Sequence, residues 1–328
     1  MTETKRGISG STVKLVAIIT MFIDHFAAAV LVRVLIFQIR SYGEWSDLLY
    51  DIYQIMRMVG RLGFPIFCFL LVEGFQKTGS RIKYAFRLGL FALISEVPFD
   101  LAFSAKILEF EYQNVYFTLF LGLLALCAFD FLTKRKLPTA MRWLLWAMGV
   151  VFSGFLLLQY FWEYIQKYIS ENIELWSIEA ETAVVWVICL LVIQILLWLL
   201  VMGLLLLYGL WMGMDKMLFA GANLVALSLC MLLAELLRTD YAGMGVLTIA
   251  VIYILRRSNV LAMAGGCAVL SLMALNELPA FFALFPVAAY NGKRGLKLKY
   301  FFYAFYPVHL FLLWLVAWFM GTASIPAV

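Results

Sequence analysis

The chain has 328 residues, of which 65% are hydrophobic and only 14% are charged. Roughly a quarter of the residues in a soluble domain are charged, so this composition excludes a water-soluble fold. Most of the net charge of +5 is explained by membrane topology, because basic residues accumulate in cytoplasmic loops. We therefore predict an all-α integral membrane protein, built as a polytopic helical bundle.

Hydrophobic segments of membrane-spanning length recur along the chain. A helix needs about twenty apolar residues to cross the hydrocarbon layer, and the segments predict about 11 transmembrane helices. In chain order they lie near residues 13–37, 54–75, 84–103, 114–132, 141–161, 182–212, 217–237, 242–255, 259–275, 279–290 and 300–320. The sixth is overlong and must tilt or break. The eighth and tenth are short, so we expect one of them to be re-entrant or only partly embedded.

The distribution of basic residues predicts the orientation in the membrane. With the N-terminus in the cytoplasm, alternate connections carry sixteen Lys and Arg residues, whereas the opposite set carries four: Arg40, Lys106, Lys167 and Arg238. The positive-inside rule then keeps the N-terminus inside and, if the number of spans is odd, puts the C-terminus outside. The segment 162–181 interleaves glutamates with Trp and Ile, which predicts an external amphipathic helix on the membrane surface.

Several function classes find no support in the sequence. It contains no P-loop and no G-x-G-x-x-G after a strand, so nothing indicates a soluble nucleotide domain. The basic residues form no stripe or module for nucleic acid, so we expect membrane lipids and no nucleic acid as partners. The five cysteines stand singly in apolar runs, without zinc-ligand spacing. We expect them to pack in the core and expect no metal site.

Ionisable residues inside apolar spans are costly and are therefore candidates for function. His25 and His309 are the two histidines of the chain, and each falls nine to twelve residues into its span, near mid-bilayer depth. A histidine there can exchange a proton near neutral pH. Lys14 precedes His25 by eleven residues, about three helical turns, so both lie on one face. The alternatives are structural contacts between helices for the histidines and a cytoplasmic anchor for Lys14.

Four acidic residues are candidates to orient an imidazole ring. Asp24 adjoins His25, but successive side chains on a helix point about 100° apart, so the orienting group can come from another helix. Glu73, Glu96 and Asp100 are available for this role, and Glu96 lies deepest in its span. Pro98, two residues further on, is expected to kink that helix.

Four arginines lie within or near the spans. Arg57 and Arg61 are four residues apart on one helical face, where two guanidinium groups suit a phosphate or a carboxylate. Ion pairs with acidic residues of neighbouring helices, or snorkelling to the outer interface, are the alternatives. We interpret Arg33, near the outer end of the first span, as snorkelling. Arg87, near the inner end of the third span, is a candidate to meet an anion.

The connection at 290–299 carries four cations beside an Asn-Gly turn, among them Lys293 and Arg294. Two interpretations stay open. The cations satisfy the positive-inside rule, or they also bind phosphates that enter from the cytoplasm.

Seven pieces of the sequence together resemble the TraX family of bacterial membrane proteins. They cover nearly the whole chain, at 11–26 (STVKLVAIITMFIDHF), 60–78, 91–103, 114–126, 239–247, 290–295 (YNGKRG) and 306–310 (YPVHL). The founding member of the family is implicated in N-acetylating pilin. TraX-like proteins are also similar to transmembrane acyltransferases, which use cytoplasmic acetyl-CoA and share a basic residue, ten spacers and a histidine in the first span. Lys14 and His25 reproduce that spacing.

The resemblance implies one transmembrane acyltransferase-like domain over residues 1–328, in the bacterial cytoplasmic membrane. His25 is then a general base or a covalent acetyl carrier, oriented by Asp24 or Glu96. The acceptor is a peptide, glycan or lipid-linked group. The residues expected to bind acetyl-CoA are Lys14, Arg57, Arg61, Arg87, Lys293 and Arg294. Those expected on the substrate side are Asn114, His309 and Glu73. Arg57 and Arg61 depart from the paired-arginine motif of these enzymes, with three residues between them instead of two.

Two other function classes stay open. A secondary transporter or proton-coupled permease also has ionisable residues near the membrane midplane and broken helices, although no corresponding pair of interrupted helices marks two repeats here. A non-catalytic scaffold would leave the buried Arg, Glu and His residues without a purpose beyond helix pairing.

Overall fold

The computed structural model describes residues 7–40, 46–135, 137–172, 180–297 and 299–327. Within these ranges every regular secondary-structure element is a helix, and the only β pairings are two isolated bridges. The α-helices are α1 Gly10–Phe26, α2 Val32–Arg40, α3 Ser46–Gly60, α4 Gly63–Lys77, α5 Arg81–Phe103, α6 Val115–Lys134, α7 Thr139–Asn172, α8 Ala180–Met212, α9 Met214–Leu236, α10 Ala242–Ile254, α11 Asn259–Met273, α12 Leu284–Ala288 and α13 Lys299–Phe319. A π-helical turn, Ala27–Leu31, joins α1 to α2, and a 3-10 helix, Leu275–Ala283, precedes α12.

The predicted fold class, an all-α polytopic membrane bundle, is confirmed. Among the described residues, seven helical segments are long and apolar enough to cross a membrane, and three shorter apolar helices accompany them. Together with α5, which carries more charge, they make eleven helical segments. The chain is therefore a multi-pass membrane protein.

The chain divides into two compact units. The terminal unit comprises Met1–Leu126 and Leu233–Val328, and the middle unit comprises Cys127–Leu232. In the middle unit α7 and α9 approach closely, because a Cβ added at Gly149 would lie 2.6 Å from the carbonyl oxygen of Gly221. Small residues at such contacts let membrane helices pack backbone to backbone.

Two predictions for the middle unit meet different outcomes. The sixth predicted span is one continuous helix, α8, so it does not break, and its 33 residues at 1.5 Å each exceed the hydrocarbon thickness of about 30 Å. Residues 162–172 of the predicted amphipathic segment continue α7 as a single helix. Residues 173–179 lie outside the described residues, so the surface position of this segment stays a prediction.

In the terminal unit the second predicted span, 54–75, is interrupted. Helix α3 ends at Gly60 and α4 begins at Gly63. A Cβ added at Gly60 would lie 2.2 Å from the side chain of Asp24 on α1, so the close approach of these helices requires glycine there. Pro65 is tolerated because it falls in the first turn of α4, where backbone N–H groups lack helical acceptors.

The tenth predicted span, 279–290, is also irregular. A 3-10 helix containing Pro279 is followed by the five residues of α12. The irregular backbone is packed against α11, which agrees with the rule that non-helical backbone at membrane depth is tolerated where protein covers it.

The N-terminal segment and the connection at 290–299, which were both predicted on the cytoplasmic side, meet at one end of the terminal unit. The N–H groups of Ile8 and Gly10 donate to the carbonyls of Ala289 and Lys293, at 2.9 and 2.8 Å. At the other end, residues 112–113 pair with 238–240. We call these the 290-loop end and the 240-loop end.

Arg33 does not snorkel, contrary to expectation. Its side chain is fully buried, and its Nε and Nη1 donate to the carbonyl oxygens of Ile325 and Ala102, each at 2.8 Å. Nη1 also donates to the carbonyl of Ala29, one turn earlier on the same chain segment. The sequence could not reveal this, because the acceptors come from the end of α5 and from the residues after α13.

We predict that Arg33→Met destabilises the protein, since it leaves the carbonyl of Ala102 buried without this donor, at about 1–3 kcal/mol, and removes a further hydrogen bond to the partly buried carbonyl of Ile325. Thermal unfolding in detergent should show a melting temperature several degrees below that of the wild type. Arg257→Met, at an exposed arginine, is the control and should leave it unchanged. An equal melting temperature for both variants would contradict the structural role of Arg33.

Candidate functional site

The two histidines, which the sequence separates by 284 positions, form a direct hydrogen bond. Nδ1 of His25 on α1 lies 2.7 Å from Nε2 of His309 on α13, and the two rings are nearly coplanar, with 3° between their planes. His309 is 2% exposed, whereas His25 is partly exposed. The π-helical turn begins two residues after His25, and such turns are frequent at functional sites.

The hydrogen-bond partners assign the tautomers of this histidine pair when both rings are neutral. Nδ1 of His309 lies 2.8 Å from the carbonyl oxygen of Phe305, and a carbonyl only accepts, so this nitrogen carries the proton. Nε2 of His309 is then an acceptor, and Nδ1 of His25 must donate to it. Nε2 of His25 is consequently the unprotonated ring nitrogen, whose lone pair is what a general base or nucleophile requires.

The carboxylates that were expected to orient His25 have other partners. Asp24 accepts from Nη1 of Arg57 at 2.8 Å. Glu96 accepts from the side-chain amide of Asn114, which also donates to the carbonyl of Ala92 at 2.8 Å. In this structure it is His309, which we had expected on the substrate side, that fixes the His25 ring.

Arg57 and Arg61 each form an ion pair, which is one of the alternatives left open by the sequence. Arg61 donates to Glu277 of the 3-10 helix, with 2.9 Å between Nη1 and Oε1. The side chains of Asp24 and Glu277 are 16% and 3% exposed. Each carboxylate has a second oxygen, Oδ1 and Oε2, that is buried without a hydrogen-bond partner among the described residues. We call the four residues of these two ion pairs the ionic cluster: Asp24, Arg57, Arg61 and Glu277.

Asp240 lies beside the ionic cluster, at the 240-loop end. The hydroxyl of Tyr112 donates to it at 2.6 Å, and both Arg57 and Arg61 are within electrostatic range. Burial raises the pKa of the Asp240 carboxyl, while the Tyr112 hydrogen bond and the arginines act in the opposite direction. Glu277 and Asp240 were not among the predicted site residues, although each is an acidic residue next to an apolar span.

A cavity of about 520 Å³ opens between the helices of the terminal unit. Four cationic side chains line it, Lys14, Lys77, Arg87 and Arg294, with one carboxylate, Glu73. The remaining lining residues are mainly aromatic or aliphatic. Two helix N-termini border the cavity, because Gly10 begins α1 and residues 78–79 precede α5. Helix N-termini and cations together favour an anionic ligand.

Glu73 is not available to balance the other three cations, since it pairs with Lys77 at 2.5 Å and accepts from the hydroxyl of Tyr290 at 3.1 Å. Burial raises the pKa of Tyr290, and hydrogen bonding to Lys77 opposes this shift. Nε of Arg87 is buried without a hydrogen-bond partner among the described residues. Lys14 lies 5.1 Å from the ring centre of Phe302. Lys14, Arg87 and Arg294 therefore carry positive charge that no carboxylate in the cavity lining balances.

The residues that were predicted to bind acetyl-CoA thus lie in three different places. Lys14, Arg87 and Arg294 line the cavity together, whereas Arg57 and Arg61 belong to the ionic cluster. Lys293 is outside the lining of the cavity, and its backbone carbonyl anchors the start of α1.

The fold and this arrangement define a class: a multi-pass helical membrane protein with a hydrogen-bonded histidine pair, a cationic cavity and an ionic cluster. A family model described as TraX protein matches residues 9–317. The chain therefore belongs to the TraX family, as the sequence pieces had indicated.

A curated relative from Dichelobacter nodosus is described as probable fimbrial assembly protein FimC, serogroup H1. It is 38% identical over 125 residues, which are 36% of this chain and 45% of the relative. The matched region thus spans less than half the length of that relative. No solved structure matches the chain.

The assigned tautomers give a spectroscopic prediction. With ¹⁵N-labelled histidine at a pH where both rings are neutral, the imidazole shifts should report Nδ1–H for both residues. His309→Leu removes the acceptor of the His25 proton, so the remaining signal should move towards the Nε2–H tautomer. A dominant Nε2–H signal from His25 in the wild type would contradict the assignment.

The Arg61–Glu277 pair predicts non-additive stability changes. Arg61→Met leaves a buried carboxylate without its cation, which costs about 3–5 kcal/mol, so the melting temperature should fall. Adding Glu277→Gln to this variant should recover most of the loss, because the uncompensated charge is removed. Additive losses in the double variant would show that the two side chains act independently.

Proposed function

We propose that this protein is a membrane-embedded acetyltransferase that moves an acetyl group from acetyl-CoA to an amine or hydroxyl of a peptide, glycan or lipid-linked acceptor. The observation that carries the proposal is the free Nε2 lone pair of His25, held in orientation by His309. A scaffold needs no such base. The family membership and the spacing of Lys14 and His25 agree with it.

The cationic cavity is suited to the donor. Its volume of about 520 Å³ falls within the range of ligand pockets, roughly 300–1,000 Å³. Lys14, Arg87 and Arg294 supply charge for the phosphates of coenzyme A, and the aromatic and aliphatic lining suits its less polar arm. Lys77 and Glu73 also line this cavity. We therefore assign the charged residues of the cavity lining to the binding of acetyl-CoA, rather than Arg57, Arg61 or Lys293.

His25 has one defined task in this reaction. Its Nε2 takes the proton from the acceptor amine or hydroxyl while the acceptor atom bonds to the thioester carbonyl carbon. The carbon–sulfur bond breaks, and the imidazolium returns the proton to the leaving thiolate. His309 keeps the ring in place and shares the added charge. Covalent carriage of the acetyl group by the same nitrogen is the alternative route.

The ionic cluster and Asp240 are assigned to the acceptor side. Asp24 is the chain neighbour of His25, and the unpaired oxygens of Asp24 and Glu277 offer acceptors for a polar group. Asn114 and Glu96 are hydrogen-bonded to each other, so we assign them a structural role in holding α5 against α6. The D. nodosus relative is named for fimbrial assembly, which makes a fimbrial peptide an acceptor to assay first.

We further propose that the protein lies in the bacterial cytoplasmic membrane, with the 290-loop end in the cytoplasm and the C-terminus outside. The excess of basic residues in the connections of that end supports this orientation. It lets cytoplasmic acetyl-CoA enter the cavity directly.

A secondary transporter is the second candidate, favoured by the interruptions between α3 and α4 and at residues 275–288. Broken helices near charged residues are common in transporters. Substrate flux into proteoliposomes in the absence of acetyl-CoA would favour it.

We predict that purified wild-type protein transfers label from [¹⁴C]acetyl-CoA to an acceptor in membrane extracts, and that His25→Ala abolishes the transfer. The control is stabilisation by CoA, which raises the melting temperature by mass action and should survive in His25→Ala. Unchanged transfer by a folded His25→Ala protein would overturn the role of His25. The absence of transfer by folded wild-type protein, with or without CoA stabilisation, would overturn the proposed activity.

We also predict that Arg87→Gln and Arg294→Gln each weaken CoA binding by about tenfold, the loss of one charge-assisted hydrogen bond of 1.5–3 kcal/mol being partly compensated by water. Titration calorimetry with CoA measures this change. Lys293→Gln, in the same loop but outside the cavity lining, is the matched control and should bind as the wild type does. Equal effects of all three would indicate a diffuse surface charge instead of a built site.

A further inference from the structure

Two buried tyrosines stand between the cationic cavity and the histidine pair. Tyr116 lines the cavity, and its ring packs edge-on against Tyr306, with 4.9 Å between the ring centres. Tyr306 is 3% exposed and packs edge-on against His25 and His309, at 5.7 and 5.6 Å. His25 itself is not part of the cavity lining, so the tyrosines form the wall between the two sites.

A proline fixes the position of this wall. Pro307 lies inside α13 and has no N–H to donate to the carbonyl of Tyr303, four residues earlier. The hydroxyl of Tyr116 donates to that carbonyl instead, at 3.3 Å. The hydrogen bond is longer than usual for a hydroxyl donor, and the ring of Tyr306 supports Tyr116 from the other side.

Helix α13 connects both sides of the wall. Tyr303, which lines the cavity, Tyr306 and His309 follow one another at intervals of three residues, and so lie along one face of the helix. At 1.5 Å per residue, about 9 Å along the axis separates Tyr303 from His309. Tyr116 and Tyr306 are therefore the side chains whose direct ring contacts connect the cavity lining to His25.

We propose that Tyr116 and Tyr306 form an aromatic barrier that admits the short acyl end of the donor, excludes longer acyl chains and keeps water from the thioester. This inference rests on the proposed acetyltransferase function and adds its donor specificity. The reacting carbonyl must come within about 3–3.5 Å of the acceptor atom beside His25. With Tyr306 packed on the His25 ring, additional methylenes meet the tyrosine rings.

The test compares Tyr116→Ala with Tyr116→Phe, which keeps the ring and removes only the hydroxyl. Transfer rates are measured with acetyl-, butyryl- and hexanoyl-CoA, together with hydrolysis of acetyl-CoA in the absence of acceptor. One misfitting methylene changes discrimination by about 10–200-fold. We therefore expect Tyr116→Ala to raise the butyryl-to-acetyl ratio of kcat/KM by at least about tenfold and to increase hydrolysis. Tyr116→Phe should preserve the ratio.

Tyr306→Leu opens the wall from the other side and tests the same barrier if Tyr116→Ala does not fold. An active wild type whose ratio is unchanged in the folded opened variant would overturn the barrier and leave the acetyltransferase standing. A wild type that binds CoA thioesters without transferring any acyl group would overturn the proposed function itself. A changed ratio in Tyr116→Phe equal to that in Tyr116→Ala would assign the effect to the hydroxyl and overturn the steric barrier.

Discussion

The hydrogen bond between Nδ1 of His25 and Nε2 of His309 joins α1 to α13, and the chemistry of the site depends on it. An imidazole in a low-dielectric interior forms few hydrogen bonds with water, so a protein partner must fix its tautomer and orientation. A carboxylate is the usual choice in catalytic triads. Here a second neutral imidazole does this, and the carbonyl of Phe305 in turn fixes the second ring. No buried charge is needed to orient the His25 ring.

Two ion pairs inside the terminal unit lie where the backbone is interrupted. The break between α3 and α4 lies beside Asp24 and Arg57, and the 3-10 helix supplies Glu277 to Arg61. Interrupted helices expose backbone groups that lipid cannot satisfy, so such segments persist only inside protein. The same constraint explains Arg33, whose guanidinium satisfies carbonyls at the ends of other segments. Irregular backbone and buried charge thus stabilise one another here.

The sequence predicted a good part of the site through helical periodicity. Lys14 and His25 lie on one α1 face, with Lys14 at the cavity and His25 at the histidine pair. Glu96 and Asn114 were both recognised, yet their bond to each other was not, because they lie on different helices. Arg57 and Arg61 were expected to act together. The helix interruption at Gly60–Gly63 instead accompanies separate ion pairs, Arg57 with Asp24 and Arg61 with Glu277, and no local pattern predicts which carboxylate each arginine meets.

Composition and hydropathy alone determined that this protein is an all-α, multi-pass membrane protein, because a chain that is 65% hydrophobic must hide its backbone polar groups in helices once it is in lipid. The order of motifs determined the TraX family. Only the tertiary structure decided which polar residues meet: His25 with His309, Arg61 with Glu277, and Tyr116 with the carbonyl left free by Pro307. Such pairings join residues 187 to 284 positions apart. They depend on helix packing, which the periodicity of a single helix does not specify.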